Sequence, residues 1–123
     1  MKVCISSTGK DLESEVDPQF GRCGYFVIVD LDTGSVTSLK NPGPEASGGS
    51  GIRAAEAIVN SKADILLTGS VGPNSFSILS EVGVEVRVGV KGTVADALKQ
   101  YEAGDLCIID SPNSSAHNGM KNS

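Results

Sequence analysis

A cysteine with an arginine before it and a glycine after it has the surroundings that most suggest chemistry in this chain. It lies in the segment FGRCG, residues 20–24, directly before an apolar run. A neighbouring cation such as Arg22 favours the thiolate, which is the form of cysteine that binds metals and attacks electrophiles. Gly21 and Gly24 let the backbone turn tightly and approach a ligand closely. We therefore predict an open Cys23 thiolate at the end of a strand; the structural alternative is a small side chain tucked under a turn.

A thiolate at this position would select soft metals, because sulfur prefers zinc, copper(I) and iron–sulfur species to hard cations. The chain has three widely spaced cysteines, Cys4, Cys23 and Cys107, and no Cys-x-x-Cys pair. This spacing supports neither a zinc ribbon nor a thioredoxin-like motif. One cysteine cannot saturate a metal, so a metal role for Cys23 requires further ligands. They would come from Cys4, from a second subunit or from the sulfides of a cluster.

Two glycine-rich loops that precede predicted helices form the second group of candidates. They are SGGSG at 47–51 and TGSVG at 68–72, and they supply the candidate binding residues Gly49, Ser50, Gly51, Gly69 and Gly72. Arg53, one turn into the first predicted helix, adds a cation to the first loop. The start of a helix exposes unpaired N–H groups, which attract anions together with the helix dipole. Neither loop has the spacing of a Walker or Rossmann fingerprint. The loops predict anion binding, and the structural alternative is a pair of flexible linkers.

Catalytic groupings find little support in the sequence. Asp30, Asp32 and Asp64 could suggest a metal-dependent nuclease, but that chemistry normally needs an acid on the first strand, where this chain has a cysteine. The single His117 allows no Ser-His-Asp or Cys-His arrangement. A thiol redox enzyme would use Cys23 as its nucleophile, yet no resolving cysteine lies nearby in the sequence. We therefore predict a protein that is not an enzyme.

Length and charge limit the class of protein. The 123 residues predict one domain, and the formal net charge of −5 argues against a nucleic-acid binder, which normally carries a basic face. No apolar stretch approaches the length that crosses a membrane. The N-terminus enters a strand pattern at once, without the apolar core of a signal peptide. We expect a cytoplasmic protein with reduced thiols and no membrane or nucleic-acid partner, and the oligomeric state stays open.

The hydrophobic pattern places the candidate residues on alternating strands and helices. Apolar alternation and short apolar runs predict strands near 3–6, 25–31, 35–39, 64–67 and 84–90. Helical spacing predicts helices over 51–61, from 73 to about 82, and from 94 to about 103. Residues 106–109 add a short strand or pack over an edge. The order β-β-β-α-β-α-β-α predicts an α/β protein with a mixed five-stranded sheet and helices on its faces.

The ends of these helices carry recognisable signals. Ser50 is the predicted N-cap of the first helix, and Pro73 suits the first position of the second. Thr93 and Asp96 resemble a capping box for the third helix. From Ser111 onward the composition is mainly Ser, Asn, Gly and Lys. We therefore predict a domain over 1–110 and a disordered tail over 111–123.

Three segments together carry a family resemblance. They are FGRC at 20–23 leading into YFVI at 25–28, TGSVGPNSF at 68–76, and GVEV at 83–86 running into GTVADAL at 92–98. In this order and spacing they resemble the dinitrogenase iron–molybdenum cofactor biosynthesis proteins, including their small stand-alone relatives, over about residues 1–106. The resemblance implies a ribonuclease H-like three-layer α/β/α fold without a nuclease centre. It departs from many nitrogenase-linked members at Gln19, where they have a histidine.

The resemblance also implies a function, the carrying of an iron–sulfur or iron–molybdenum precursor cluster between donor and acceptor proteins. In that role Cys23 would anchor the cluster, while Arg22 and Arg53 would give charge-assisted hydrogen bonds. The glycines around them, Gly21, Gly24, Gly49, Gly51, Gly69 and Gly72, and Ser50 would bring backbone and hydroxyl donors close. The alternative function is a metal-free module that binds a phosphorylated or carboxylate metabolite at the two helix starts.

Overall fold

The computed structural model describes residues 1–45 and 48–114, so Ser47 of the first predicted glycine loop lies outside the described residues. The strands are β1 (Lys2–Ser7), β2 (Tyr25–Asp30), β3 (Val36–Lys40), β4 (Ile65–Thr68), β5 (Glu85–Val88) and β6 (Cys107–Ile109). The helices are α1 (Ser50–Asn60), α2 (Pro73–Glu81) and α3 (Val94–Ala103), and short 3-10 turns lie at Phe20–Arg22 and Gly43–Glu45.

The strands form one mixed sheet in the order β3-β2-β1-β4-β5-β6. β2 pairs antiparallel with both β1 and β3, while β4 pairs parallel with β1 and β5. The predicted α/β class and mixed sheet are confirmed, but the count of five strands is wrong. Residues 107–109 form an antiparallel edge strand on β5. Three residues on an edge give too short a pattern to be recognised without their pairing partner.

Two hydrophobic cores lie on opposite faces of the sheet, because successive strand residues point to opposite sides. One face packs against α1 and α2, and its buried residues include Cys4, Phe26, Leu66, Ala54, Ile58 and Leu79. The other face packs against α3, and its buried residues include Val3, Ile5, Val27, Leu67, Val94 and Ala97. The helices that follow the two glycine loops therefore lie side by side on one face.

The helix ends follow the sequence signals with one exception. Pro73 is the first residue of α2, and Thr93 and Asp96 form the predicted capping box of α3. The prediction that Ser50 caps α1 is wrong, because Ser50 is already helical and Gly49 holds the cap position at φ 66°. Glycine takes that left-handed conformation without the steric cost that a side chain adds.

The chain keeps its contacts beyond the predicted domain boundary at residue 110. The backbone N–H groups of Asn113 and Ser114 donate to the Val71 carbonyl at 3.2 and 3.3 Å. These two residues of the predicted tail thus contact the loop after β4, while the domain boundary at 110 and the disordered tail remain predictions. The rest of that prediction, residues 115–123, lies outside the described residues. Within residues 1–45 and 48–114, no helix has the length and apolar character that a membrane crossing requires.

Candidate functional site

A cavity of about 490 Å³ lies beyond the carboxyl end of β4, where the starts of α1 and α2 meet the Phe20–Arg22 turn. In open α/β sheets, ligands bind outside the carboxyl ends of the strands. The lining residues are Gln19, Phe20, Gly21, Arg22, Gly49, Ser50, Gly51, Ile52, Ser70, Gly72, Pro73, Asn74, Ser75 and Ser114.

The structure brings six of the ten predicted site residues together around this cavity: Gly21, Arg22, Gly49, Ser50, Gly51 and Gly72. It leaves Cys23, Gly24, Arg53 and Gly69 out of the lining. The cavity is also lined by four polar residues that the sequence did not predict, Gln19, Ser70, Asn74 and Ser75. Ser70, Asn74 and Ser75 lie in the 68–76 segment, and a run of small polar residues around a helix-starting proline was the available signal.

The prediction of an open Cys23 thiolate is wrong. Cys23 is 0% exposed and packs in the core that contains Phe20 and Phe26. Burial raises the pKa of the Cys23 thiol to about 12, so the group is neutral at ordinary pH. The turn sends its two chemical groups in opposite directions, since Arg22 is exposed and lines the cavity while Cys23 enters the core. The alternative of a small side chain tucked under a turn is the correct one.

The other cysteines do not supply a ligand set either. Cys4 is buried, and this burial raises the pKa of its thiol. Cys107 is exposed on the edge strand β6, away from the cavity-lining residues. Across the described part of the chain, no three His, Cys, Asp or Glu side chains gather in a group that could hold a metal ion. The cavity is therefore not built for direct coordination by several protein ligands.

Asn41 holds the turn that separates Arg22 from Cys23. Its side chain is 1% exposed, and Nδ2 donates to the Cys23 carbonyl at 2.8 Å and lies within 3.4 Å of the Phe20 and Gly21 carbonyls. Asn41 Oδ1 accepts from the Gly43 N–H at 2.9 Å. Because buried polar groups need such partners, this network fixes the backbone of the cavity wall.

A second network holds the 69–72 loop against the same wall. The Pro18 carbonyl accepts from the N–H groups of Gly69 and Ser70 at 3.1 and 2.8 Å, and Phe20 N–H donates to the Ser70 carbonyl at 3.4 Å. A Cβ at Gly69 would lie 2.7 Å from Pro18 Cβ. Gly69 is thus required for packing between two loops, which explains why it does not line the cavity.

The two helix starts approach each other across the cavity. A Cβ at Gly21 would lie 3.3 Å from Gly51 Cα, and a Cβ at Gly51 would overlap Ser75 Oγ. Neither α1 nor α2 has a side-chain cap on its first turn within the described residues. The residues that begin both helices line the cavity, and the first N–H groups of a helix have no partner within the helix, which is why helix starts can bind anions.

Ser75 is the most informative side chain of the site. It is 4% exposed, lines the cavity, and forms no side-chain hydrogen bond with any described residue. A buried hydroxyl without a partner costs about 1–3 kcal/mol. Among the described lining residues Arg22 is the one charged side chain, although the chain has a net charge of −5. Hydroxyl and amide donors beside a cation, with no acid among them, favour an anionic ligand.

Comparisons with known proteins identify relatives of the whole fold. The sequence profile of the family described as "Dinitrogenase iron-molybdenum cofactor" matches residues 1–104. The apo form of the orange protein from Desulfovibrio gigas is 34% identical, with a TM-score of 0.87 over 92% of this chain and 96% of that chain. A Thermotoga protein of the DUF35 family, provisionally named as a NifB protein, is 34% identical, with a TM-score of 0.77 over 87% and 91%. An uncharacterised protein of Methanocaldococcus jannaschii is 24% identical over 96 residues, 76% of this chain and 81% of that protein.

Proposed function

Because this chain belongs to the dinitrogenase iron–molybdenum cofactor family, we propose that it binds and carries an iron–sulfur metallocluster or its precursor in the cavity between α1 and α2. The family has a role in iron–molybdenum cofactor assembly and consists of carrier or accessory proteins, not known enzymes. The cluster is cargo in this proposal, accepted from a donor protein and passed to an acceptor.

The observation that carries the proposal is the Ser75 hydroxyl, which is buried between two uncapped helix starts and has no hydrogen-bond partner among the described residues. A cluster with sulfides on its surface is typically anionic, and its sulfurs accept hydrogen bonds from the protein. The cavity offers donors of that kind from Ser50, Ser75, Asn74 and Arg22, and from the backbone at the two helix starts. The ligand would thus satisfy groups that have no partner within residues 1–45 and 48–114.

Binding by hydrogen bonds, without a cysteine anchor, also suits a carrier. The Cys23 thiol is neutral and enclosed by the core, so it cannot coordinate iron without a rearrangement of the turn. A metal–thiolate bond would hold the cargo more firmly than hydrogen bonds and slow its transfer. We therefore assign the cargo-binding role to Gly21, Arg22, Ser50, Gly51 and Ser75, with Cys23 as a core residue.

The test is anaerobic loading with a species assembled from ferrous iron and sulfide, followed by gel filtration and visible absorbance. We expect Ser75→Ala to bind about tenfold more weakly, since a hydrogen bond to a charged group contributes about 1.5–3 kcal/mol. Ser77→Ala, at an exposed position of the same helix, is the matched control and should load as the wild type. Cys23→Ser should also load as the wild type once its fold is verified by circular dichroism.

Two results would contradict the proposal. A wild-type protein that leaves gel filtration without iron and sulfide is not a carrier of such a cluster. A folded Cys23→Ser protein that loses the cargo, beside a Ser75→Ala protein that keeps it, would show that the thiol opens and anchors the metal.

A second candidate function is the binding of a phosphorylated or carboxylate metabolite in the same cavity. The two converging helix starts favour it, because such starts bind oxyanions as readily as other anions. Thermal melting in inorganic phosphate distinguishes it: a rise that depends on Ser75, in a protein that takes up no iron and sulfide, would support the metabolite. The predicted cytoplasmic location, the ribonuclease H-like topology, the donor and acceptor partners and the lack of a nucleic-acid partner remain predictions.

A further inference from the structure

The segment after β6 returns to the cavity and pairs with the loop that forms one of its walls. Asn113 Oδ1 accepts from the Val71 N–H at 2.8 Å, and Asn113 Nδ2 donates to the Gly69 carbonyl at 2.9 Å. Backbone bonds to the Val71 carbonyl accompany this side-chain pair. One amide side chain thus bridges two peptide groups of the 69–72 loop, in the manner of a short strand.

This loop connects β4 to α2 and determines where the start of α2 lies. Its residues Ser70 and Gly72 line the cavity, and Val71 is 1% exposed beneath them. Pro18 holds the loop from one side by accepting from the Gly69 and Ser70 N–H groups. Asn113 holds it from the other side, so the loop is clamped between two segments that are distant in sequence.

The clamp lies outside the part of the chain that the family profile matches, which ends at residue 104. Ser114, the next residue, is itself part of the cavity lining. The segment after β6 therefore adds a wall to a cavity whose other walls come from the matched region. A wall made by one side chain and two backbone groups opens more easily than one made by packed helices.

We propose that Asn113 is a positioning residue for the cavity: its side-chain amide clamps the 69–72 loop and thereby slows release of the bound anion. The release part of this inference rests on the function proposed above, whereas the clamp does not. Asn113 acts through Gly69 and Val71 and need not touch the ligand. Loss of the clamp should raise the dissociation rate more than it lowers the association rate, because the open loop still offers the same donors.

The first experiment is amide hydrogen exchange on the cargo-free full chain. In Asn113→Ala, the Val71 N–H loses its acceptor, and we expect its exchange to accelerate about tenfold at unchanged pH and temperature. Asn113→Asp keeps an acceptor for Val71 but loses the donor to Gly69, so it should give an intermediate rate. Ser111→Ala, an exposed position two residues earlier, is the control and should exchange as the wild type.

The second experiment measures cargo release from protein loaded with ferrous iron and sulfide, by transfer to an excess chelator. We expect release from Asn113→Ala to be about tenfold faster, with urea midpoints close to the wild type. Unchanged Val71 exchange would overturn the clamp. Faster exchange together with unchanged release would overturn the positioning role. A wild type that takes up no cluster would instead defeat the proposed function, and the exchange data would still decide the clamp.

Discussion

The start of α3 differs from the starts of α1 and α2 in how its first N–H groups are paired. In α3 the Thr93 hydroxyl accepts from the Asp96 N–H at 3.1 Å, and the Asp96 carboxylate accepts from the Thr93 N–H at 3.0 Å. Within the described residues, α1 and α2 have no such side-chain cap, and Gly49 and Gly72 occupy the cap positions. All helix starts leave N–H groups that no earlier turn can pair.

Among the residues that the structure describes, the helices without a side-chain cap are the two that begin at the cavity. The starts of α1 and α2 line it, whereas Thr93 and Asp96 do not. A side-chain cap improves on glycine by a few tenths of a kcal/mol, and a carboxylate adds roughly 0.3–1 kcal/mol through the helix dipole. In the described part of the chain, the starts of α1 and α2 lack this stabilisation, and these are the two places where a ligand would use the N–H donors. This contrast supports the proposal that the uncapped pair binds an anion.

The largest expected effect comes from giving α2 the kind of cap that α3 has. Gly72 has φ −79° and ψ 173°, close to the −90° and 172° of Thr93, so its backbone suits a cap residue. In Gly72→Asp the carboxylate would accept from the first-turn N–H groups and repel the cargo. Like charges about 4 Å apart repel by about 4 kcal/mol near a protein surface. We expect loading with ferrous iron and sulfide to weaken about a hundredfold while the melting temperature rises.

Gly72→Asn separates the repulsion between charges from the occupation of the N–H donors. Its amide oxygen occupies the same donors without a charge, so loading should weaken about tenfold, less than in Gly72→Asp. If both variants load as the wild type, the start of α2 does not bind the cargo. The comparison between capped and uncapped helices would then concern stability alone.

The reverse change, removal of the cap from α3, should affect stability and leave binding intact. Thr93→Ala removes the hydroxyl that accepts from Asp96, and a lost N-cap costs about 1 kcal/mol. We expect a lower urea midpoint at an unchanged slope, which indicates a change in stability without a change in the surface exposed on unfolding. Loading with ferrous iron and sulfide should equal that of the wild type. Weaker loading would mean that α3 also shapes the cavity.

Local signals in the sequence predicted local features well. The capping box at Thr93 and Asp96 and the proline at the start of α2 each depend on residues within one helical turn. The hydrophobic period likewise predicted the first five strands and the three helices in order. Residues 106–109 could not be assigned as a strand from the sequence alone. The strand β6 is defined by its pairing with β5, which lies about twenty residues earlier in the chain.

Features that depend on contacts between residues far apart in the sequence could not be predicted from local patterns. The spacing FGRCG is compatible with either direction of the Cys23 side chain, and the direction is set by Asn41, which bonds the Phe20, Gly21 and Cys23 carbonyls. In the sequence Asn41 indicates only the break after a strand. The burial of the Ser75 hydroxyl against Gly51, with no hydrogen-bond partner in the part of the chain that the structure describes, likewise depends on packing between two helices. The anionic ligand that the glycine loops indicate stays a prediction, whereas the open Cys23 thiolate that the same sequence indicates is wrong.

The smallest expected effect is an acid dependence that belongs to the capped helix. Hydrogen bonds from Thr93, the backbone N–H foremost, hold the pKa of Asp96 below its usual value. The unfolded chain therefore takes up this proton at higher pH than the folded one does. The contribution of Asp96 to stability is present above the unfolded pKa of about 3.9 and is lost as the pH falls through the lower folded pKa. Urea unfolding of the wild type and Asp96→Asn from pH 7 downward should show their difference in free energy shrinking below about pH 5. A difference that stays constant with pH would show that the carboxylate charge does not stabilise α3, and that the contrast with the uncapped helices is one of shape.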